Sequence, residues 1–362
     1  MPIRKGCGRE KAMRVVIYEW CCSGGLAGPD TAAVVGDDAD AEPLAREGRA
    51  MFRALAADAV RDGGLEVAAL VDPTLTIDLP AAVERIVVQP GDEVASLVAA
   101  ARLADAVIVV APETAAVLAS RVSAVRAAGG RPIAPGDAFI RLAADKQATI
   151  DALAAAGVPV PAGRSLAAGE AWPDSFMRPS VRKARASAGC DGLLVVRPAD
   201  PPPCPVAMPV RIEAWCTGTP VGVSCLVGPR GVIPVAALRQ RFSAVAPVAY
   251  VGADLLEGVA ERGRAEALAR RTIEALLRRD HQPTTGWIGV DMILGARDDG
   301  LDDRVLEVNP RLTTSFVGLA AHARSSLVRA MLHVADGQAP DVHPPCDAFT
   351  FAIIDEPLPI LR

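Results

Sequence analysis

The chain has 362 residues, 51% hydrophobic and 22% charged, with a formal net charge of −5 and a pI of about 5.5. Its length exceeds one ordinary core and implies two or three domains, and its composition is globular. The acidic balance argues against a nucleic-acid-binding or membrane-surface protein, while leaving room for a local basic groove, and no apolar run reaches the roughly 18 residues that a membrane span needs.

Residues 1–12 are polar, carry Arg4, Lys5, Arg9 and Lys11, and lack the apolar core of a signal peptide, so they read as a loose tail with Met13 as a candidate start. Residues 14–18 read as a buried strand, followed by a glycine-containing loop over 21–28. A helix is expected over 41–62, where Leu44, Met51, Leu55 and Ala59 recur near helical spacing. Strands follow at 65–71, stopped by Asp72-Pro73, and at 85–89, with a helix at 92–103. A strongly apolar strand at 106–111 is closed by Pro112, and a helix over 114–128 ends at Gly129-Gly130. Strands alternating with helices imply a parallel sheet covered on both faces, so residues 13–135 form a Rossmann-like α/β domain.

Beyond it, a helix over 145–156 carries Ile150 and Leu153 and stops at Gly157 and Pro159. The stretch to about 212 is rich in Pro and Gly, is punctuated by Pro201-Pro202-Pro203, and suggests a small α+β module. Two strands joined at Gly218-Thr219-Pro220 are expected within 210–227, and another over 232–238. Residues 261–279 form an amphipathic helix with Ala265, Leu268, Ala269, Thr272, Ile273, Leu276 and Leu277 on one face. Strands at 288–294 and 305–308 and a helix at 325–334 complete the reading. The eight cysteines, Cys7, Cys21, Cys22, Cys190, Cys204, Cys216, Cys225 and Cys346, form no paired framework, so reduced thiols in the cytoplasm are expected. The four histidines lack metal-ligand spacing.

Lysine usage is the first chemical signal. From Met13 onward only Lys146 and Lys183 are lysines, and every other cationic side chain apart from histidine is Arg. An ammonium on a flexible stem suits contact with one phosphate oxygen, which the planar guanidinium does not reproduce. The second signal is the pair Gly289-Val290-Asp291-Met292 and Leu306-Glu307-Val308-Asn309-Pro310-Arg311. Period-two geometry puts Glu307 and Asn309 on one face, and a hairpin would bring Asp291 to it. Two carboxylates and an amide oxygen are hard ligands suited to Mg²⁺. A solvated polar hairpin face is the competing reading.

Five elements occur in order: Asp145-Lys146-x-x-Thr149 opening a helix, Lys183 before a small-residue run over 184–192, a Glu-bearing strand, Asp291, and Glu307-x-Asn309-Pro310-Arg311. This order, over about residues 140–335, resembles the ATP-grasp ligases. The resemblance implies ATP bound between two α+β subdomains, with ATP contacts from Lys146, Lys183, Gly189, Glu213, Cys216 and Arg239. Residues 184–192 would cover the phosphates, and 213–216 would be the hinge that meets adenine. It also implies Mg²⁺ or Mn²⁺ held by Asp291, Glu307 and Asn309, and Arg311 with Lys183 at the transferred phosphoryl group. The ribose contact is unassigned, because 218–224 contains no acid. The implied division is a tail at 1–12, a pre-ATP-grasp domain at 13–135, a lid subdomain at 136–212, a metal-binding subdomain at 213–340 and an extension at 341–362.

Further motifs, most of them in the first domain, narrow the resemblance. Tyr18-Glu19-Trp20-Cys21-Cys22-Ser23-Gly24-Gly25, Glu47-Gly48-Arg49, Ala111-Pro112-Glu113-Thr114 and the run from Glu307 to Ser315 look like the branch that includes tyramine–L-glutamate ligase. Glu19, Gly24, Gly25, Glu113 and Ser315 are the substrate-site candidates. Glu19 and Glu113 lie at strand ends, where α/β sheets bind ligands, whereas Gly24-Gly25 also reads as an ordinary turn and is no dinucleotide fingerprint. The implied activity joins a small-molecule carboxylate to an amine through an acyl phosphate, with no nucleic-acid or membrane partner and a homodimer as the candidate assembly. A kinase that stops at phosphoryl transfer and a non-catalytic ATP-binding module are the alternatives.

Overall fold

The computed structural model describes residues 12–36, 40–61, 63–173, 176, 179–186, 192–243, 248–280, 282–342 and 347–353. The expectations for the tail at 1–11 and for Gly189 fall outside these residues. Among the described residues no helix is long and apolar enough to cross a membrane.

The chain opens with β1 (Met13–Glu19), α1 (Thr31–Val35), α2 (Glu42–Arg61), β2 (Leu65–Val71), β3 (Glu84–Val87), α3 (Glu93–Ala101), β4 (Ala106–Val110) and α4 (Val117–Ala127). The strands form a parallel sheet in the order β3-β2-β1-β4. Central β1 and the edge strand β4 are buried almost throughout because helices cover both faces, which is why they read as unbroken apolar runs. The chain crosses from one side of β1 to the other between β3 and β4. That makes the carboxyl ends of β1 and β4 a topological switch point, the usual ligand crevice of such sheets. The helix expected from 114 starts at Val117 instead. Ala115 and Ala116 hold φ of 53° and 58°, a left-handed conformation that costs roughly 1–2 kcal/mol per L-residue and breaks the helix.

Next come α5 (Asp137–Ala144), α6 (Lys146–Ala155), β5 (Gly163–Leu166), β6 (Ser180–Ala184), β7 (Leu194–Val196) and β8 (Val210–Ala214). These strands make an antiparallel sheet in the order β5-β8-β6-β7 over a small core of Leu166, Trp172, Val196, Val210 and Ile212. The remainder is β9 (Thr219–Gly228), β10 (Gly231–Phe242), β11 (Tyr250–Leu255), α7 (Val259–Leu277), β12 (Gly286–Leu294), β13 (Arg304–Asn309), α8 (Ser315–His322), α9 (Leu327–Ala335) and β14 (Thr350–Ala352). Its sheet runs β13-β12-β9-β10-β11-β14 and is antiparallel. The strands expected within 210–227 are therefore not partners. β8 ends the small sheet, β9 belongs to the large one, and residues 215–218 bridge them.

The large sheet is buried on both faces. Val221, Val223, Cys225, Ile288, Val290 and Met292 pack with Ala265, Leu268, Ala269 and Ile273 of α7. Leu226, Leu238 and Trp287 face the other way, into a core shared with Phe316 and Leu319 of α8, Met331 of α9, and Phe52 and Leu55 of α2. Asp58 of α2 fixes this junction. Its Oδ2 accepts from Ser326 Oγ at 2.9 Å and from the Val328 N–H at 2.8 Å, at the N-terminus of α9.

Candidate active site

Asp145 caps α6, accepting the N–H groups of Gln147 at 3.0 Å and Ala148 at 3.1 Å. Arg185 forks onto the same carboxylate at 2.8 and 2.7 Å, and Thr149 Oγ1 donates to the Leu142 carbonyl at 2.7 Å. Burial opposes ionisation of Asp145, but the Arg185 fork and the helix N–H groups win and hold its carboxyl below the usual range. The Asp-Lys-x-x-Thr motif is thus a rigid helix start. It aims Lys146, 4% exposed, at Glu307, with Nζ to Oε1 at 2.9 Å.

Lys183 arrives from β6. Its Nζ lies 2.5 Å from Glu213 Oε1 on β8, one diagonal step across the β6–β8 ladder, in which Lys183 opposes Arg211 and Val181 opposes Glu213. Buried Arg211 braces the other oxygen, with Nε to Glu213 Oε2 at 3.0 Å, and donates to Gln147 Oε1 at 2.7 Å and the Pro161 carbonyl at 3.0 Å. Desolvation disfavours the Lys183 ammonium, but Glu213 and Glu307 outweigh it and raise its pKa, so it stays charged.

The acids come from β12 and β13. Asp291 pairs with Glu307 and Gly289 with Asn309, with a register irregularity just after Asp291. Asp291 accepts from Gln240 Nε2 and Asn309 Nδ2, each at 2.8 Å. Burial, and then the charge of Glu307, push its pKa up to about 6, against the opposing pull of the two amides and Lys183. Gly222 of β9 lies opposite Asp291, and a Cβ there would stand 3.0 Å from Gln240 Nε2 and 3.2 Å from Asp291 Oδ1. Glycine keeps this face open. Among the described residues no three His, Cys, Asp or Glu side chains could hold a metal on their own. Two mutually repelling carboxylates and an amide are instead a partial set of hard ligands, which fits Mg²⁺ completed by phosphate oxygens and water.

Arg311 follows on the loop after β13. Its Nε is 2.9 Å from Glu113 Oε1 at the carboxyl end of β4, and it also interacts electrostatically with Glu47 of α2 and with Glu307. Glu19 ends β1, 3% exposed, and accepts the Cys22 N–H at 2.9 Å. Burial raises its pKa against the Cys22 and Cys21 hydrogen bonds. A Cβ on Gly48 would stand 2.7 Å from Glu19 Oε1, so α2 lies directly against this carboxylate.

The other expected residues divide. Ser315 Oγ lies 2.9 Å from Ser224 Oγ and 2.7 Å from Thr313 Oγ1, on the acid face of the sheet. Cys216 sits in the bridge between the two sheets, its thiol raised by burial and then by Glu213. Gly24 is left-handed at φ 89° and Gly25 packs on the Trp20 indole, where a Cβ would clash, so both are accounted for by the turn. Arg239 is not brought to the cluster. It alternates with Leu238 and Gln240, leaves β10 on the opposite face, is 58% exposed and faces Asp254 at 3.6 Å. Gln240, which donates to Asp291, and Arg185, which forks onto Asp145, are not among the sequence-predicted residues. Gln240 was within reach, since it neighbours Arg239 on the face that matters, but only the strand register assigns that face.

Residues 143–315 match the model of an ATP-grasp domain, and residues 65–138 that of the pre-ATP-grasp 3 domain. A search among curated protein sequences finds no match. Solved structures are similar throughout. One is a protein from Archaeoglobus fulgidus assigned to the ATP-grasp superfamily, 18% identical, covering 91% of this chain and 89% of that one at a TM-score of 0.62. Another is the ADP complex of an N5-carboxyaminoimidazole ribonucleotide synthetase, 17% identical, covering 93% and 79% at 0.63. A third is an L-amino acid ligase from Bacillus licheniformis, 14% identical, covering 92% and 78% at 0.60. The chain therefore carries a pre-ATP-grasp domain followed by an ATP-grasp domain, and these solved structures share its fold.

Proposed function

We propose that the protein is an ADP-forming ligase that joins a carboxylate to an amine, with L-glutamate and tyramine as the first pair to test. The observation that carries this reading is the convergence of Lys146, Lys183, Asp291, Glu307, Asn309 and Arg311, from four separate segments, on one face beside a sheet-end crevice. Among the similar structures, one is named an L-amino acid ligase and another an ADP complex.

The ion pairs define how the residues would act. Lys146 is held by Glu307 and Lys183 by Glu213, so both ammonium groups are positioned before ATP arrives. Each then exchanges a carboxylate for a phosphate oxygen, which stabilises charge spread over the transferred phosphoryl group. Asp291, Glu307 and Asn309 would hold Mg²⁺, which would offset the negative charge of the phosphates. The substrate carboxylate attacks the γ-phosphorus, ADP leaves, and an acyl phosphate forms. Arg311 meets the phosphoryl oxygens and later the oxyanion of the tetrahedral adduct. The amine attacks the acyl carbon, phosphate leaves, and the amide remains.

ADP release measured against a panel of amino acids and amines tests this, and turnover must require one of each. Glu307→Gln should abolish ADP release while leaving the melting transition in place. Normal turnover by that variant refutes the metal assignment. A stable phosphorylated product without amide would favour a kinase instead.

A further inference from the structure

We propose that Glu113, the buried carboxylate paired with Arg311, together with Glu47 of α2 forms the subsite that receives the ammonium group of the amine substrate; this rests on the ligase reading above. Glu113 is 7% exposed, and its Oε2 has no hydrogen-bond donor among the described residues. Its Oε1 meets only Arg311 Nε, at 2.9 Å. Buried carboxylates ordinarily accept several donors, so unmatched acceptors inside a ligand crevice point to a donor brought by a ligand. Glu47 stands beside Gly48, where α2 is pressed onto the carboxyl end of β1. Burial raises its pKa, with Arg311 and then Arg46 opposing, and Tyr250 of β11 also feels its charge.

Charge inventory gives the ligand its sign. Arg311 answers to Glu113, Glu47 and Glu307 together. Once a phosphoryl group draws the guanidinium away, Glu113 and Glu47 lose their shared counter-charge in a site shielded from water. A primary ammonium restores it with three donors. The step then balances. The bound ammonium gives one proton to the carboxylate pair, and the freed nitrogen lone pair attacks the acyl carbon. The C–N bond forms as the C–O bond to phosphate breaks, and a second N–H proton leaves on the phosphate.

Hydroxylamine is uncharged at neutral pH and separates this subsite from the rest of the site. With ATP and L-glutamate, wild type, Glu47→Gln and Glu113→Gln are each assayed for hydroxamate and for amide formed from tyramine, ethanolamine and ammonium chloride. The expected result is a KM for the cationic amine raised about tenfold or more in each variant, with amide formation falling several-fold further than hydroxamate formation. Equal losses of hydroxamate and amide in both variants overturn the subsite, as does an unchanged amine KM. Wild-type hydroxamate with no amide from any cationic amine overturns it too. Absence of hydroxamate in wild type with any amino acid as the carboxylate overturns the acyl-phosphate reading itself, and the subsite with it.

Discussion

The two lysines differ from the surrounding arginines in what they must do, and their burial makes the difference testable. Lys146 and Lys183 are 4% and 8% exposed, and each meets one carboxylate oxygen. A guanidinium is larger and planar, so it cannot place one donor at the same point. Lys146→Arg and Lys183→Arg should each raise the KM for ATP by about tenfold while keeping the positive charge, as initial rates against ATP concentration will show. Unchanged ATP dependence in both would make the lysines coincidental. Asp291 sets a pH dependence. Its folded pKa of about 6 stands above the ordinary 3.8, so the folded protein holds the extra proton between those values. The metal-free protein therefore gains stability from this group as pH falls through that window and loses it as pH rises through about 6. A divalent cation competes with that proton, so Mn²⁺ affinity by titration calorimetry should fall as pH drops below about 6, and Asp291→Asn should remove this dependence.

Elements of the first domain are tied by a buried polar network away from the reaction face. Tyr18 of β1 donates to Glu93 at the start of α3. Arg121 of α4 forks onto Glu93 at 3.0 and 2.7 Å and reaches Asp30, beside α1, at 2.7 Å. Desolvation raises the Tyr18 pKa, with Glu93 adding to it, so the phenol remains a donor. Removing one partner from such a network leaves a buried charge without its counter-ion. Arg121→Ala should therefore destabilise the protein by about 3–5 kcal/mol in denaturant titration. A loss under 1 kcal/mol would mean that water reaches Glu93 freely. The strained pair Ala115-Ala116 acts at the same scale. It delays α4 by three residues relative to the sequence pattern and leaves Glu113 at the mouth of the crevice, facing Arg311.

At the scale of the whole molecule, one core joins α2, α8, α9 and a face of the large sheet, whereas the small sheet has only a minor core of its own. Leu55→Ala, in a side chain with no exposed surface, should cost about 2–5 kcal/mol and shift the main melting transition of both larger units together. Hydrogen exchange should be faster in β5 to β8 than in β9, β10 and β12, because local opening there exposes less apolar surface. By itself the sequence determined the alternation of β and α in the first domain, the amphipathic α7, the Asp-Lys-x-x-Thr helix start and the acid-bearing strands, because these depend on period, capping and turn residues close in the chain. Apolar α8 escaped detection because it is covered by α2 and by β9, β11 and β14, so it shows no polar face to mark its period. Short α5, separated from α6 by Asp145 alone, escaped for want of length. Only the tertiary structure decided that Lys146 meets Glu307, that Gln240 and not Arg239 faces Asp291, and that Glu113 pairs with Arg311. Each depends on strand register or on contacts between residues far apart in the chain, and a one-residue change of register exchanges the two faces of a strand.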